Sequence, residues 1–117
     1  MPRLVEYLDE RSRSPFGQWL DRLEPVTAAR IARALYRLGE GNDANVKSLG
    51  NGISELRVDF GPGYRVYFAR VGADLLLLLG GGSKRRQSAD IVTARERLRS
   101  YRLRRRKSAL WNVNVLS

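Results

Sequence analysis

The stretch Glu55–Phe68, "ELRVDFGPGYRVYF", alternates polar and apolar residues on both sides of a Gly-Pro-Gly turn. A period of two is typical of β-strands that bury one face, so this stretch predicts a β-hairpin. One face of the hairpin is apolar and is expected to pack on a core. The opposite face carries the arginine and tyrosine side chains, and we expect it to be exposed.

The register of this hairpin follows if Gly61–Gly63 forms a three-residue connection between the strands. The expected cross-strand pairs on the apolar face are Phe60–Tyr64, Val58–Val66 and Leu56–Phe68. Those on the polar face are Asp59–Arg65 and Arg57–Tyr67. In this register Arg65 either pairs with Asp59 as a structural ion pair or binds an anionic ligand.

The chain before the hairpin predicts one strand and two helices. Residues 3–8 alternate as in a short strand, and helical spacing of apolar residues predicts helices over 15–23 and from Pro25 to Gly39. Two amphipathic helices in succession indicate an antiparallel helical hairpin. We interpret the apolar stripe of the first helix, which includes Phe16 and Trp19, as core and not as a ligand pocket.

The chain after the hairpin predicts a central strand and a terminal helix. In "DLLLLLGGGSK", residues 74–84, five leucines without alternation indicate a strand covered on both faces, which we expect to end at Gly80–Gly82. Helical spacing then predicts a helix over 88–104. The predicted fold class is α+β, with an N-terminal strand, a helical hairpin, an antiparallel three-stranded meander and a C-terminal helix. Helices cover one sheet face of a single domain, 1–104, and a basic tail follows at 105–117.

The composition excludes several kinds of chemistry. The chain has neither cysteine nor histidine, which excludes disulfides, thiolate catalysis, the usual zinc sites and a Ser-His-Asp triad. The N-terminus lacks the apolar core of a signal peptide, and the longest apolar run, Leu75–Leu79, is far too short to span a bilayer. We therefore expect a soluble cytoplasmic protein with no membrane partner, no metal and no other cofactor.

Positive charge is concentrated in the last third of the chain. Of the formal net charge of +10, residues 84–107 carry +9, from 11 Lys or Arg against Asp90 and Glu96. This segment predicts a polyanionic partner, because neutralised phosphates release counterions; a solvated basic helix is the alternative. Four arginines of the predicted terminal helix share one face because they recur at helical spacing. They are Arg95, Arg99, Arg102 and Arg106.

Three segments carry a resemblance to a known family. They are "ELR" at 55–57, "GPGYRVYF" at 61–68 and "LLLLGGGSKRRQSADIVTA" at 76–94. Together they resemble the RelE/ParE-like toxins of bacterial toxin–antitoxin modules, and within them the HigB-like or phage-Gp49-like branch of addiction-module killer proteins. The resemblance covers about residues 3–101, and it implies a RelE-like fold.

The resemblance also implies a ribosome-associated ribonuclease that cuts messenger RNA and is silenced by a cognate antitoxin protein. Metal-free RNA cleavage needs a base for the ribose 2′-oxygen, cations for the phosphate and an acid for the leaving 5′-oxygen. The candidate catalytic residues are Arg57, Arg65, Tyr67 and Lys84. The arginines would bind the scissile phosphate and Lys84 would add a cation, while Tyr67 would stack on a base or donate its hydroxyl. Neighbouring cations are expected to lower the pKa of a lysine or tyrosine here.

The candidate RNA-binding residues are the remaining cations of this surface and of the terminal helix. They are Lys47, Arg85, Arg86, Arg95, Arg99 and Arg102. Lys47 is expected in the loop before the hairpin, where a solvated lysine is the alternative interpretation. Some RelE relatives place a catalytic tyrosine early in the last helix, whereas the first tyrosine there is Tyr101. The identity of the general base and acid therefore stays open.

Two other functions are consistent with the same residues. ParE relatives share the fold but inhibit DNA gyrase by binding it, so the chain could be an inhibitor and not an enzyme. A nucleic-acid-binding module without catalysis would be supported by the basic terminal helix alone. The arginines, tyrosine and lysine of the hairpin face favour the nuclease, because a protein-binding face does not require cations that converge at the spacing of a phosphate.

Overall fold

The protein is described by a computed structural model that covers residues 2–116, with side chains up to Ser108. The strands are β1 Arg3–Glu6, β2 Val46–Gly50, β3 Ile53–Val58, β4 Tyr64–Val71 and β5 Leu75–Ser83. The helices are α1 Pro15–Asp21, α2 Pro25–Gly39 and α3 Gln87–Leu116, with a 3₁₀ turn, Lys84–Arg86, before α3. The predicted α+β class is confirmed.

The five strands form one mixed sheet in the order β1-β5-β4-β3-β2. Strands β2 to β5 are an antiparallel meander, and β1 lies parallel to β5. The meander therefore has four strands, and the prediction of three was wrong. The missed strand is β2, where Val46 and Leu49 are three residues apart and a bulge at Leu49 interrupts the period of two. Lys47 consequently lies on a strand, opposite Glu55, and not in a loop.

The predicted register of the hairpin was wrong by two residues. Val66 lies opposite Leu56, not Val58, and Arg57 lies opposite Arg65. The ladder ends at Val58, so the connection to β4 has five residues and not three. A shift of two leaves every side chain on its predicted face, because side chains alternate along a strand with a period of two.

Helices cover both faces of the sheet, and the prediction that they cover one face was wrong. The first core packs α1 and α2 on the sheet, through Phe16, Ile31, Leu35, Leu38, Leu56, Val58, Val66, Phe68, Leu76 and Leu78. The second core lies under α3 and contains Tyr7, Ile53, Tyr67, Ala69, Leu77, Leu79, Ala94 and Leu98. Strand β5 contributes leucines to both cores, which confirms the prediction that it is central and covered on two faces.

The helices begin where the sequence signals predict. Ser14 is the N-cap of α1, and its hydroxyl accepts a hydrogen bond from the Gly17 amide at 2.9 Å. Helix α3 runs beyond its predicted end at 104, through Leu116, so part of the predicted tail is helical; Ser117 lies outside the described residues. None of the helices among the described residues combines the length and the hydropathy that a membrane span requires.

Candidate functional site

Three consecutive glycines allow two helices to close on β5. The strand continues through Gly80–Gly82 to Ser83, so the prediction that the glycines end it was wrong. A bulge between β4 and β5 places both Leu79 and Gly80 toward α3 and reverses the alternation beyond them. A methyl group at Gly80, Gly81 or Gly82 would collide with Arg97, Trp19 or Asp90, respectively. Close packing therefore requires glycine at Gly81 and Gly82, whereas at Gly80 the positive φ of 151° favours glycine and only the mobile end of Arg97 would have to move.

A buried ion pair lies beneath the start of α3. The Arg65 Nε atom is 3.7 Å from Glu55 Oε1, and the two side chains are only 8% and 5% exposed. The other oxygen of Glu55 accepts a hydrogen bond of 2.9 Å from the Gln87 amide. The expected pair of Arg65 with Asp59 does not form, because Asp59 lies beyond the ladder and pairs with Arg57 at 3.5 Å. Arg65 is thus a buried side chain, and the expectation of an exposed arginine face is wrong at this position.

Tyr67 is buried between charged neighbours. Burial raises the pKa of its phenol to about 12, the Asp90 and Glu55 carboxylates act in the same direction, and Arg65 opposes them. The expected lowering of this pKa by cations was wrong, because burial and two carboxylates outweigh one guanidinium. Tyr67 therefore keeps its proton at neutral pH and can donate a hydrogen bond. Its ring is 1% exposed, so its faces pack on protein and are closed to a nucleobase.

Asp90 lies over Gly82, on the first turn of α3. Burial raises the pKa of its carboxyl above the ordinary value, and the neighbouring Arg86 and Arg97 partly oppose that effect. Its Oδ1 atom is 3.8 Å from Arg86 Nε. Among the described residues, neither Asp90 Oδ2 nor the Tyr67 hydroxyl has a hydrogen-bond partner, although both atoms are buried.

Three of the four candidate catalytic residues meet at one end of the sheet. Arg57 and Arg65 are directly opposite on β3 and β4. The Lys84 amide donates to the Gly63 carbonyl at 3.0 Å, and the side chains of Lys84 and Arg65 both lie beside Gly63. Arg57 and Lys84 are exposed. This end of the sheet, defined by Arg57, Arg65 and Lys84 and here named the cationic end, therefore exposes the cations Arg57 and Lys84 and buries Arg65.

The other predicted RNA-binding residues fall into two groups. Arg85 and Arg86 are exposed in the 3₁₀ turn next to the cationic end, and Lys47 is exposed on β2. The arginines of α3 line a groove of about 320 Å³ beside the turn between β2 and β3. They are Arg95, Arg99, Arg102 and Arg106. Arg95 donates to the carbonyls of Leu49 and Gly50 at 2.9 and 3.3 Å, so it also anchors α3 to the end of β2.

Sequence reasoning missed four residues that shape this region. Glu55, Gln87 and Asp90 were not named as site residues, and Trp19 was assigned to the core. Trp19 is only partly buried, and it both packs on the first core and lines a cleft beside Gly81. The sequence does contain signals for Glu55, Gln87 and Asp90. Glu55 shares the polar face of the hairpin with Arg57 and Arg65. Gln87 and Asp90 are three residues apart, on one side of a helix that starts directly after the basic turn.

The buried ion pair predicts that Arg65→Ala destabilises the fold by about 3 kcal/mol, because it leaves Glu55 charged and unpaired in the interior. The loss should be much smaller in a Glu55→Gln background, where no buried charge remains and the Gln87 contact is kept. Chemical denaturation of the four proteins measures this coupling. An equal cost of Arg65→Ala in both backgrounds would show that the ion pair does not stabilise the fold.

Asp90→Asn is predicted to stabilise the protein at neutral pH. A carboxyl whose pKa is raised by folding binds its proton more tightly in the native state, so stability falls as the pH rises from the ordinary pKa through the raised value and stays lower above it. Asparagine has the same shape without the charge. Thermal unfolding should give Asp90→Asn a higher Tm at pH 7 and no advantage below about pH 4.

The matched control is Glu96→Gln, which removes an exposed carboxylate from the same helix and should change the Tm little. It also corrects for the greater net positive charge of the variant. A lower Tm for Asp90→Asn at pH 7 would mean that Arg86 and Arg97 stabilise the carboxylate more than burial disfavours it.

Comparisons with known proteins assign this chain to a family. Residues 18–99, more than two-thirds of the chain, match the family described as "Phage derived protein Gp49-like (DUF891)". A Haemophilus influenzae protein, described as an uncharacterized protein, is 43% identical over 81 residues, which are 68% of this chain and 82% of the relative. The matched region contains β2 to β5, the cationic end and the first half of α3. The chain therefore belongs to the phage-derived Gp49-like family, which is part of the RelE/ParE-like toxin superfamily and is associated with toxin–antitoxin modules.

Proposed function

We propose that this chain is the toxin of a type II toxin–antitoxin module, of the HigB-like branch, and that it is a ribosome-dependent endoribonuclease that cuts messenger RNA without a metal. Membership of the Gp49-like family supports the toxin assignment. The observation that carries the nuclease assignment is the cationic end, where Arg57 and Lys84 are accessible beside the fixed charge of Arg65.

The proposed reaction is attack of the ribose 2′-oxygen on the adjacent phosphorus. A bond forms between the 2′-oxygen and phosphorus while the bond from phosphorus to the 5′-oxygen breaks. A base takes the 2′-hydroxyl proton, and an acid protonates the departing 5′-oxygen. Arg57 and Lys84 stabilise the charge that grows on the phosphate, while Arg65, buried and paired with Glu55, supports this end of the sheet from beneath. Tyr67 is unsuited to be the base, because its phenol stays protonated near neutral pH.

The proposed partners follow from this reaction. Messenger RNA is the substrate, and the ribosome presents it, so the protein is proposed to act in the cytoplasm. A cognate antitoxin is the protein partner, and an acidic antitoxin segment would compete with RNA for the exposed cations. Lys47, Arg85 and Arg86 are proposed to contact RNA next to the cationic end, since all three are exposed.

Removal of either accessible cation is predicted to slow cleavage strongly while the fold is kept. Arg57→Gln and Lys84→Gln should each lower the cleavage rate on the order of 10²-fold, because each removes charge stabilisation in the transition state. Primer extension on messages from a purified translation system measures the rate. The products should carry a 2′,3′-cyclic phosphate and a 5′-hydroxyl.

The matched control is Arg33→Gln, which removes one exposed cation from α2, on the opposite side of the sheet. It should cut at the wild-type rate. Products with a 5′-phosphate would contradict attack by the 2′-oxygen. An intact message together with inhibition of gyrase supercoiling would support the ParE-like inhibitor instead, and neither effect would support a nucleic-acid-binding module without catalysis.

The arginine groove on α3 is proposed to dock on ribosomal RNA. Arg99 and Arg102 are exposed and line the groove with Arg106, at the helical spacing that follows a phosphate backbone. Arg95 is the least accessible of these four arginines because its guanidinium donates to carbonyls at the end of β2. Docking through this groove would leave the cationic end free for the message.

Charge reversal in the groove is predicted to weaken ribosome binding without loss of chemistry. Arg99→Glu with Arg102→Glu should reduce the slope of log affinity against log salt by about 2, since two phosphate contacts are lost. Cleavage at saturating ribosome concentration should be unchanged. The control is Arg33→Glu with Arg37→Glu, which places the same charge change on exposed residues of α2. Equal affinities and salt slopes for the two double variants would rule out docking through the groove.

A further inference from the structure

A cleft separates α1 from α3 along an open part of β5. Strand β1 pairs with β5 from Leu75 to Leu78, and beyond that point no strand within the described residues covers this edge. The cleft is lined there by the backbone of Gly80–Ser83 and has a volume of about 460 Å³. Small-molecule sites typically have volumes of about 300–1,000 Å³, so the cleft is large enough for a nucleotide-sized group.

Two buried polar groups line this cleft without partners. They are the Tyr67 hydroxyl and Asp90 Oδ2, and neither has a hydrogen bond within the described chain. Native structures seldom leave such buried atoms unpaired, because each one costs free energy that a partner would recover. The phenol donates a hydrogen bond and the carboxylate accepts one. Together they offer one donor and one acceptor to a ligand.

The α1 side of the cleft carries an aromatic ring and a positive charge. Trp19 lies against Gly81 and is packed on Phe16 and Tyr64, with ring centroids 5.9 and 6.3 Å away. These contacts hold the indole in place, and it remains only partly buried. Arg22, the C-cap residue of α1, also lines the cleft, as does Arg86 on the opposite side. A planar ring with a hydrogen-bonding edge and a nearby negative charge fits these walls.

We propose that this cleft binds one unstacked nucleobase of the bound RNA, with Asp90 and Tyr67 on its hydrogen-bonding edge and Trp19 against its ring. Every nucleobase presents a donor beside an acceptor on its Watson–Crick edge, and proteins read unstacked bases by such contacts together with aromatic stacking. The cleft includes Ser83, the neighbour of Lys84 in sequence, so the base site adjoins the cationic end. This inference rests on the proposed function and adds a base-reading site to it.

The test measures base binding without ribosomes or cleavage. A Trp111→Phe chain retains Trp19 as its sole tryptophan, so the quenching of its fluorescence reports on the cleft. The probes are four single-base hexanucleotides with 2′-deoxyribose, which attack by a 2′-oxygen cannot cleave, and an abasic hexanucleotide of the same charge. At least one base should bind ten-fold or more tightly than the abasic probe. Asp90→Asn and Tyr67→Phe should each remove most of that preference.

Glu96→Gln and Arg33→Gln are the matched controls, and both should keep the base preference. Tyr67→Phe removes only a hydroxyl that has no partner in the described structure, so circular dichroism should show that it folds like the parent. The proposal is overturned if no base binds more tightly than the abasic probe, or if neither cleft variant changes the preference. If the base-binding test fails but the protein still cleaves messenger RNA, the base site is wrong and the nuclease assignment stands. If a base binds but messenger RNA is not cleaved, the nuclease assignment is wrong and the base site stands.

Discussion

The carboxylate of Glu55 is the contact on which the α3 side of the molecule depends. It lies on β3, faces Arg65 on β4 and accepts a hydrogen bond from Gln87, the first residue of α3. Together with the bond from the Lys84 amide to Gly63, this group positions the start of the helix above the sheet. With the helix in that place, the polar face of the hairpin is covered and Arg65 loses its access to solvent. The exposed cations of the cationic end, Arg57 and Lys84, lie outside the cover.

The same region contains buried polar groups that are incompletely paired. Among the described side chains, Arg65 Nε, the Tyr67 hydroxyl and Asp90 Oδ2 are buried without a hydrogen-bond partner. Burial also raises the pKa values of Tyr67 and Asp90, so that their charged forms are disfavoured. Groups of this kind collect at functional sites, where ligand contacts and not folding maintain them. Elsewhere the described part of the sheet packs mainly through apolar side chains, and this contrast supports the proposed roles of the cleft and the cationic end.

Local patterns in the sequence predicted the parts of the fold that depend on local interactions. The leucine run of β5 and the starts of α1 and α2 were predicted because their signals lie within a few residues. The bulge at Leu79 was not predictable. It shifts by one residue which side chains face α3, and a run of leucines followed by glycines has the same sequence pattern with or without that shift. For that reason Asp90 and Trp19 could not be placed against the glycines. The sequence did not predict that α3 packs over the polar face of the hairpin, because a buried Glu–Arg pair has the same sequence pattern as an exposed one.

The pairing of β1 with β5 has a consequence for the order of folding. Arg3 lies beside Leu75, so the first strand of the chain must find a partner that is synthesised near the end of the sheet. Contacts between such distant segments form late, because a long loop must close before they add stability. The two cores also share β5, and neither is complete before that strand has emerged. During synthesis the sheet and both cores thus stay unfinished until β5 has been made.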